Sequence, residues 1–184
     1  MADIEWTLCW EADLSTADHT ALATLFARYY PEEQATFTGA RSWMSARPEA
    51  RVIGYDEGRP VAHIGFVRRM LRVQSGGSLQ VGDVGLVGVD PDYQGTGLGR
   101  RLLAETTARL TELSLPFGFL TCAASVVPFY EKGGWRQAGG QVTRMLGLDH
   151  SPEEYTGPAM VLPVTAPFGE WPAGQTVIRD GLEV

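Results

Sequence analysis

The sequence has 184 residues, 44% hydrophobic and 20% charged, with 22 acidic against 15 basic side chains and a formal net charge of −7. That length predicts one domain over 1–184 with a true core, and no apolar run is long enough to span a bilayer. The acidic balance argues against a nucleic-acid partner, which needs a basic stripe, while a negative cleft would attract a small cationic substrate.

The acidic start Met1-Ala2-Asp3-Ile4-Glu5-Trp6 lacks the basic and apolar regions of a signal peptide, so a cytoplasmic protein without a membrane partner is expected. Cys9 and Cys122 form neither a disulfide framework nor a metal pattern, and their expected role is packing. No metal site is expected.

Trp6–Trp10 reads as an opening strand. Asp13 or Ser15 can cap a helix over residues 16–30, with Ala17, Ala21, Leu22, Leu25, Phe26 and Tyr29 on one face and Pro31 ending it. Residues 32–48 read as loop with a short helix around Ser42-Trp43-Met44. Residues 51–55 and 60–73 form two strands joined by a tight turn at Asp56-Glu57-Gly58. After the turn Ser75-Gly76-Gly77, Leu79–Val89 is a strand that runs into Gln94-Gly95-Thr96-Gly97-Leu98-Gly99-Arg100.

The following helix carries Leu98, Leu102, Leu103, Leu110 and Leu113 on one side and stops before Pro116. Phe117–Cys122 is a strand. Residues 125–132 read as a short helix capped by Ser125 and closed by Gly133-Gly134. Residues 135–138, 142–148 and 159–164 are further strands, and 168–184 is a tail rich in Gly and Pro. This order predicts an α+β layer with helices on both faces of a sheet.

Strand, acidic loop, glycines and helix arrive in the order an anion site requires. Glycines let backbone N–H groups approach a phosphate, and the helix N-terminus adds a positive dipole end. The spacing lacks the Lys-Ser/Thr of a P-loop and the longer gap of Gly-x-Gly-x-x-Gly. It resembles the pyrophosphate loop of the GCN5-related N-acetyltransferases. The segment Phe129-Tyr130 through Gly134-Trp135 resembles the same family's closing motif.

The resemblance implies the family's fold, a mixed, mostly antiparallel central sheet with splayed middle strands and helices on both faces. It also implies acetyl-CoA as co-substrate and a homodimer, a state family members often adopt. Carried over by position, Val87 and Val89 would offer backbone to the pantetheine arm. Gln94, Gly95, Thr96, Gly97, Leu98, Gly99 and Arg100 would hold the pyrophosphate, with Arg101 adding charge. Tyr130 would protonate the departing thiolate, against the alternative that it only packs the short helix.

Asp83 shares a strand face with Gly85, Val87 and Val89. It would serve as base, directly or through water, or else is a surface carboxylate beside a turn. His63 reads either as a buried, satisfied histidine or as a base or acceptor-orienting group. An acceptor mouth would draw on Glu32, Glu33, Trp43, Glu153, Glu154, Glu170 and Trp171, although any of these glutamates reads equally as a solvated charge.

Two subgroups share more than the general motifs. Trp6–Glu11 with Ala17-Asp18-His19, Arg41–Trp43, Ala46–Glu49, Ile53–Asp56, Pro116–Phe119 and Glu170–Gly174 look like the nodulation N-acyltransferases of the NodA type. Those enzymes place a fatty acyl group on the free amine of a chitin-like oligosaccharide. Val61-Ala62-His63, Arg68-Arg69, the glycine loop, Phe129-Tyr130 with Gly134-Trp135, and Val161-Leu162-Pro163 are similar to the aminoglycoside 2′-N-acetyltransferases. The complete glycine loop fits a CoA donor better than an acyl-carrier protein.

The expected function is therefore acetyl-CoA-dependent acetylation of an aminoglycoside-like amino sugar, with kasugamycin as one candidate, by direct transfer. The alternatives are a NodA-like fatty N-acyltransferase and a non-catalytic CoA-binding sensor. An apolar groove beside Phe66, Phe117 and Phe119 would favour the fatty-acyl alternative.

Overall fold

A computed structural model describes residues 3–184. The chain packs as two compact units. Unit 1 holds the chain up to Phe66, Gly85–Thr106 and Val184, and unit 2 holds Val67–Val84 and Thr107–Glu183. Two strands and a helix pass from one unit into the other, so no single cut in the sequence separates them.

Unit 1 contains β1 (Glu5–Trp10), α1 (Thr16–Tyr29), β2 (Ala50–Asp56), the first part of β3 (Arg59–Val73), the last part of β4 (Ser78–Val89) and the start of α2 (Leu98–Glu112). β1 runs antiparallel to β2 from Glu5↔Tyr55 to Trp10↔Ala50. β2 returns antiparallel on β3 through the two-residue turn Glu57-Gly58. Both turn residues have positive φ, 48° and 78°, which matches the right-handed twist of the flanking strands.

Ser15, not Asp13, caps α1. Its hydroxyl accepts from the Asp18 amide, and the Asp18 carboxylate accepts from the Ser15 amide, closing a capping box. The inner face of α1 buries Leu22, Ala23, Leu25 and Phe26 against Phe37, Ile53 and Leu86. The short helix expected at Ser42-Trp43-Met44 is absent. The chain is irregular there, and the Ser42 carbonyl accepts from Arg51 at 3.0 Å.

Unit 2 adds β5 (Phe117–Thr121), α3 (Val127–Glu131), β6 (Arg136–Gln137), β7 (Val142–Leu146), β8 (Pro152–Tyr155), β9 (Ala159–Pro163) and β10 (Thr176–Leu182). β5 lies parallel to β4 over Val81↔Phe117 to Asp83↔Phe119, and pairing stops there although β5 continues to Thr121. β9 runs antiparallel to β5, and β6 antiparallel to β9. β10 is antiparallel to β3 and parallel to β7, and β8 closes antiparallel on β7.

β8 and β10 fall in segments that read as loop and tail. Ser125 sits within a 3₁₀ turn, Ala124–Val126, and makes no cap bond, so α3 is shorter than expected. The core of unit 2 gathers Leu71, Val81, Phe117, Phe119, Val161, Trp171 and Val177. Phe66, Phe117 and Phe119 are all buried.

Candidate functional site

The anion loop lies wholly in unit 1. β4 ends at Val89, and Asp90 turns the chain. One Asp90 carboxylate oxygen accepts from the Asp92 amide at 3.0 Å. The other meets Arg28 at 3.0 Å and Arg59 at 2.8 Å. Asp90 is buried and doubly paired, so the shoulder of the loop is fixed from three sides.

Beyond it, Gly95 and Gly97 adopt φ of 76° and 89°, values that favour glycine. A Cβ at either would meet nothing within 4 Å, so the loop faces open space and glycine is there for backbone conformation. Gln94 donates to the Val89 carbonyl at 3.3 Å, and Thr96 to the Tyr93 carbonyl at 2.6 Å. Gln94–Gly97 are exposed, Leu98 anchors α2 in the core, and Gly99 is half-buried beside exposed Arg100. Exposed backbone at a fifteen-residue helix N-terminus is what a phosphate requires.

Upstream on β4, Val87 is half-buried and Val89 buried. The Tyr30 hydroxyl donates to the Val87 carbonyl at 2.9 Å. His63 lies on β3 and is fully buried. Its Nδ1 is 2.8 Å from the Leu86 carbonyl, and its Nε2 is 3.3 Å from Arg51 Nη1. Burial first, and the Arg51 charge second, hold its pKa well below the ordinary 6.5. Both nitrogens are engaged and the ring is neutral, which corrects the reading of His63 as a base. No lone pair is left for a substrate proton.

In unit 2, Asp83 is fully buried between two guanidinium groups. Arg179 Nη2 donates to one oxygen at 2.9 Å, and Arg69 Nε lies 3.0 Å from the other. Burial pushes its pKa up, against the pull of Arg179 and Arg69. With no exposed oxygen, Asp83 is not placed to receive a proton from an incoming amine. This corrects the reading of Asp83 as a surface carboxylate or direct base.

Arg179 also lies over the Phe119 ring at 5.3 Å and 3.4 Å from Glu183, whose carboxylate accepts from the Thr121 hydroxyl. Arg179 and Glu183 escaped the sequence reading because they sit in the Gly/Pro tail. The alternation of Val177, Arg179 and Gly181 on one face of β10 was the available signal.

Tyr130 is buried on α3, edge-on to Phe129 at 5.1 Å and to Trp135 at 5.7 Å. Trp171 is core: it stacks on Phe119 at 5.5 Å, and its Nε1 donates to Gln141 at 2.7 Å. That corrects its reading as a substrate contact, because no face remains to meet one. Glu32 and Glu33 are exposed in unit 1, where Trp43 is half-buried under the Arg47 guanidinium at 4.4 Å. Glu153 and Glu170 are exposed in unit 2, as is Glu154, which pairs with Arg144 at 2.7 Å.

Between β7, β8 and β10 lies a cavity of about 380 Å³ lined by Met145, Leu146, Pro152 and Ile178 together with Arg144, Arg179 and Asp180. That volume is within the range of small-molecule sites.

Both cysteines are free thiols. Burial raises the pKa of each, that of Cys122 to about 11, so neither is an activated nucleophile. Among the described residues no cluster of His, Cys, Asp or Glu could hold a metal, and no helix is long and apolar enough to cross a membrane.

Comparison with known proteins covers the whole chain. The family model described as Nodulation protein A (NodA) matches residues 1–184. Nodulation protein A of Bradyrhizobium elkanii is 39% identical over 199 residues, covering 98% of this chain and 92% of the relative. That of Mesorhizobium plurifarium is 36% identical, covering 100% and 99%.

Among solved structures, a GNAT family N-acetyltransferase from Escherichia coli in complex with CoA superposes with a TM-score of 0.66. It is 18% identical and covers 97% of this chain and 90% of its own. An acyl-CoA N-acyltransferase from Pseudomonas aeruginosa gives 0.59 at 19% identity, covering 87% and 99%. The fold expected from the sequence is the one observed.

Proposed function

The chain belongs to the nodulation protein A family, on the fold of the GCN5-related N-acetyltransferases, and from that premise we infer that it is an acyl-CoA N-acyltransferase placing a fatty acyl group on the free amine of an amino-sugar oligosaccharide. The observation that carries the reading is family similarity over the full chain together with a complete, outward-facing glycine loop. Nodulation proteins as relatives favour this acceptor and donor over acetylation of an aminoglycoside antibiotic, which the loop and the Phe129-Tyr130 motif alone had suggested. The apolar cavity of unit 2 supports a substrate with an apolar part.

The chemistry is direct transfer. The donor's pyrophosphate lies on the amides of Gln94–Arg100, and its pantetheine arm on the backbone of Val87 and Val89. The amine nitrogen attacks the thioester carbonyl, the C–N bond forms, and the C–S bond breaks. The amine's proton passes to water, the thiolate takes a proton from Tyr130, and the Tyr130 phenolate regains a proton from water. High thiol pKa values at Cys9 and Cys122 support this route over an acyl-cysteine intermediate. Asp83 holds Arg179 and Arg69 in place.

The test is thiol release from palmitoyl-CoA and from acetyl-CoA, each with chitin-derived amines and with aminoglycosides. Transfer from the long-chain donor to the chitin-derived amine is expected. Tyr130→Phe should then lower kcat about 100-fold. Activity only with acetyl-CoA and an aminoglycoside would replace this reading with the antibiotic one. CoA binding without transfer to any amine would leave a sensor.

A further inference from the structure

β4 departs from strand geometry at Leu86. Its φ is 50°, a left-handed value for a branched, buried side chain in mid-strand. A non-glycine residue stays in that region only where its surroundings over-determine it, and such positions cluster where a ligand is held.

Three neighbours in unit 1 do the holding. His63 Nδ1 lies 2.8 Å from the Leu86 carbonyl. The Tyr30 hydroxyl donates to the next carbonyl, Val87, at 2.9 Å. On the other side, Gly85 lies so close to the Val184 backbone that a Cβ there would be 2.2 Å from the Val184 carbonyl oxygen. Two successive carbonyls of a strand are thus fixed by side chains.

The His63 tautomer follows from its partners. A carbonyl only accepts, so Nδ1 carries the proton, and the Nε2 lone pair faces Arg51. Arg51 is itself oriented by Glu11, at 2.6 Å and 3.2 Å, and by the Ser42 carbonyl at 3.0 Å. Arg47 shares Glu11 at 2.9 Å. The ring of Phe26 stands edge-on to the imidazole at 4.7 Å, closing the side toward α1. The chain of bonds runs from Glu11 through Arg51 and His63 to the backbone of β4.

We propose that His63 is a positioning residue: driven by Arg51, it clamps the Leu86 carbonyl and so sets the backbone bend of β4 on which the acyl thioester is oriented for attack. The inference rests on the reading that Val87 and Val89 carry the donor arm. It predicts an effect on turnover and not on donor affinity, because the pyrophosphate loop lies beyond the bend. Hydrogen-bond donors that stabilise a developing oxyanion are worth about 100-fold in kcat, and misplacing their backbone forfeits a comparable factor.

The test compares wild type with His63→Leu and His63→Asn. Asparagine can still donate from the Nδ1 position, and leucine cannot. CoA affinity by calorimetry should agree within about threefold in all three. With palmitoyl-CoA and a chitin-derived amine, His63→Leu should lose kcat about 30–100-fold with KM for the donor unchanged, and His63→Asn should recover most of it. The pH profile of kcat should be the same in wild type and His63→Asn.

The proposal fails if folded His63→Leu keeps wild-type kcat, if His63→Asn is no better than leucine, or if an inflection in the pH profile vanishes with the histidine. A wild-type protein that neither binds CoA nor releases thiol instead overturns the donor reading. The clamp is then judged by a crystal structure of His63→Leu. Leu86 relaxing to a negative φ supports it, and Leu86 remaining near +50° overturns it.

Discussion

Each unit buries one arginine completely, and the two are neutralised in opposite ways. Arg51 in unit 1 meets one carboxylate, Glu11, at the rim of the unit and turns its remaining donors on a main-chain carbonyl and a neutral histidine. Arg179 in unit 2 meets the buried Asp83, with Glu183 beside it and a second guanidinium, Arg69, across the carboxylate. Unit 1 sets a buried cation against an imidazole that burial, and then that charge, keep neutral, and that is itself tied to the Leu86 carbonyl. Unit 2 sets two cations against a carboxylate in its core, where burial raises the carboxyl pKa and the guanidinium groups pull it down. A buried charge serves as a tether in one and as a closed ion cluster in the other.

Removing one partner tests that difference most severely. Asp83→Ala leaves two guanidinium groups facing each other with only the partly exposed Glu183 carboxylate beside them, and should cost about 3–5 kcal/mol of stability in a urea titration. A loss below about 1 kcal/mol would mean that water already solvates the cluster. Next comes Gly85→Ala, where the new methyl must displace the Val184 backbone. About 1–3 kcal/mol of destabilisation is expected by the same titration.

Acid should act on unit 1 through its tether. The folded pKa of His63 lies below its unfolded value, so its contribution is complete above pH about 6.5 and is lost as pH falls below that. The slope should reach about 1.4 kcal/mol per pH unit, and His63→Asn should remove it. Denaturation at pH 7 and pH 5.5 measures both, and equal slopes in the two proteins would show His63 to be solvated. The smallest effect belongs to the α1 cap. Ser15→Ala should cost about 1 kcal/mol, read as a modest fall in Tm.

The same contrast explains what the sequence disclosed. β1, α1, the hairpin of β2 and β3, the glycine loop and β5 follow apolar periodicity or turn chemistry, and each lies close to its expected bounds. β10 was hidden because the residue it turns inward between Val177 and Gly181 is an arginine, so its alternation reads as polar tail. β8 was hidden because it is four residues long with Glu153 and Glu154 at its centre and a proline at its start, so it shows no apolar alternation.

The donor loop was legible because local backbone geometry demands glycine at fixed spacing. The states of Asp83 and His63 were not. They depend on Arg179, 96 positions away in sequence, and on Arg51 and the Leu86 carbonyl, which periodicity cannot reach. Trp171 misled for a related reason, since an aromatic in a Gly/Pro tail gives no sign that Phe117 and Phe119 will receive it.

Asp90 has a consequence for the kinetics of donor capture. With one oxygen on the Asp92 amide and the other between Arg28 and Arg59, it stiffens the turn from strand into glycine loop before any ligand arrives. A loop already ordered loses little conformational entropy on capture. Association should therefore follow a single diffusive phase whose rate rises linearly with CoA concentration, with no plateau from a slow reordering step.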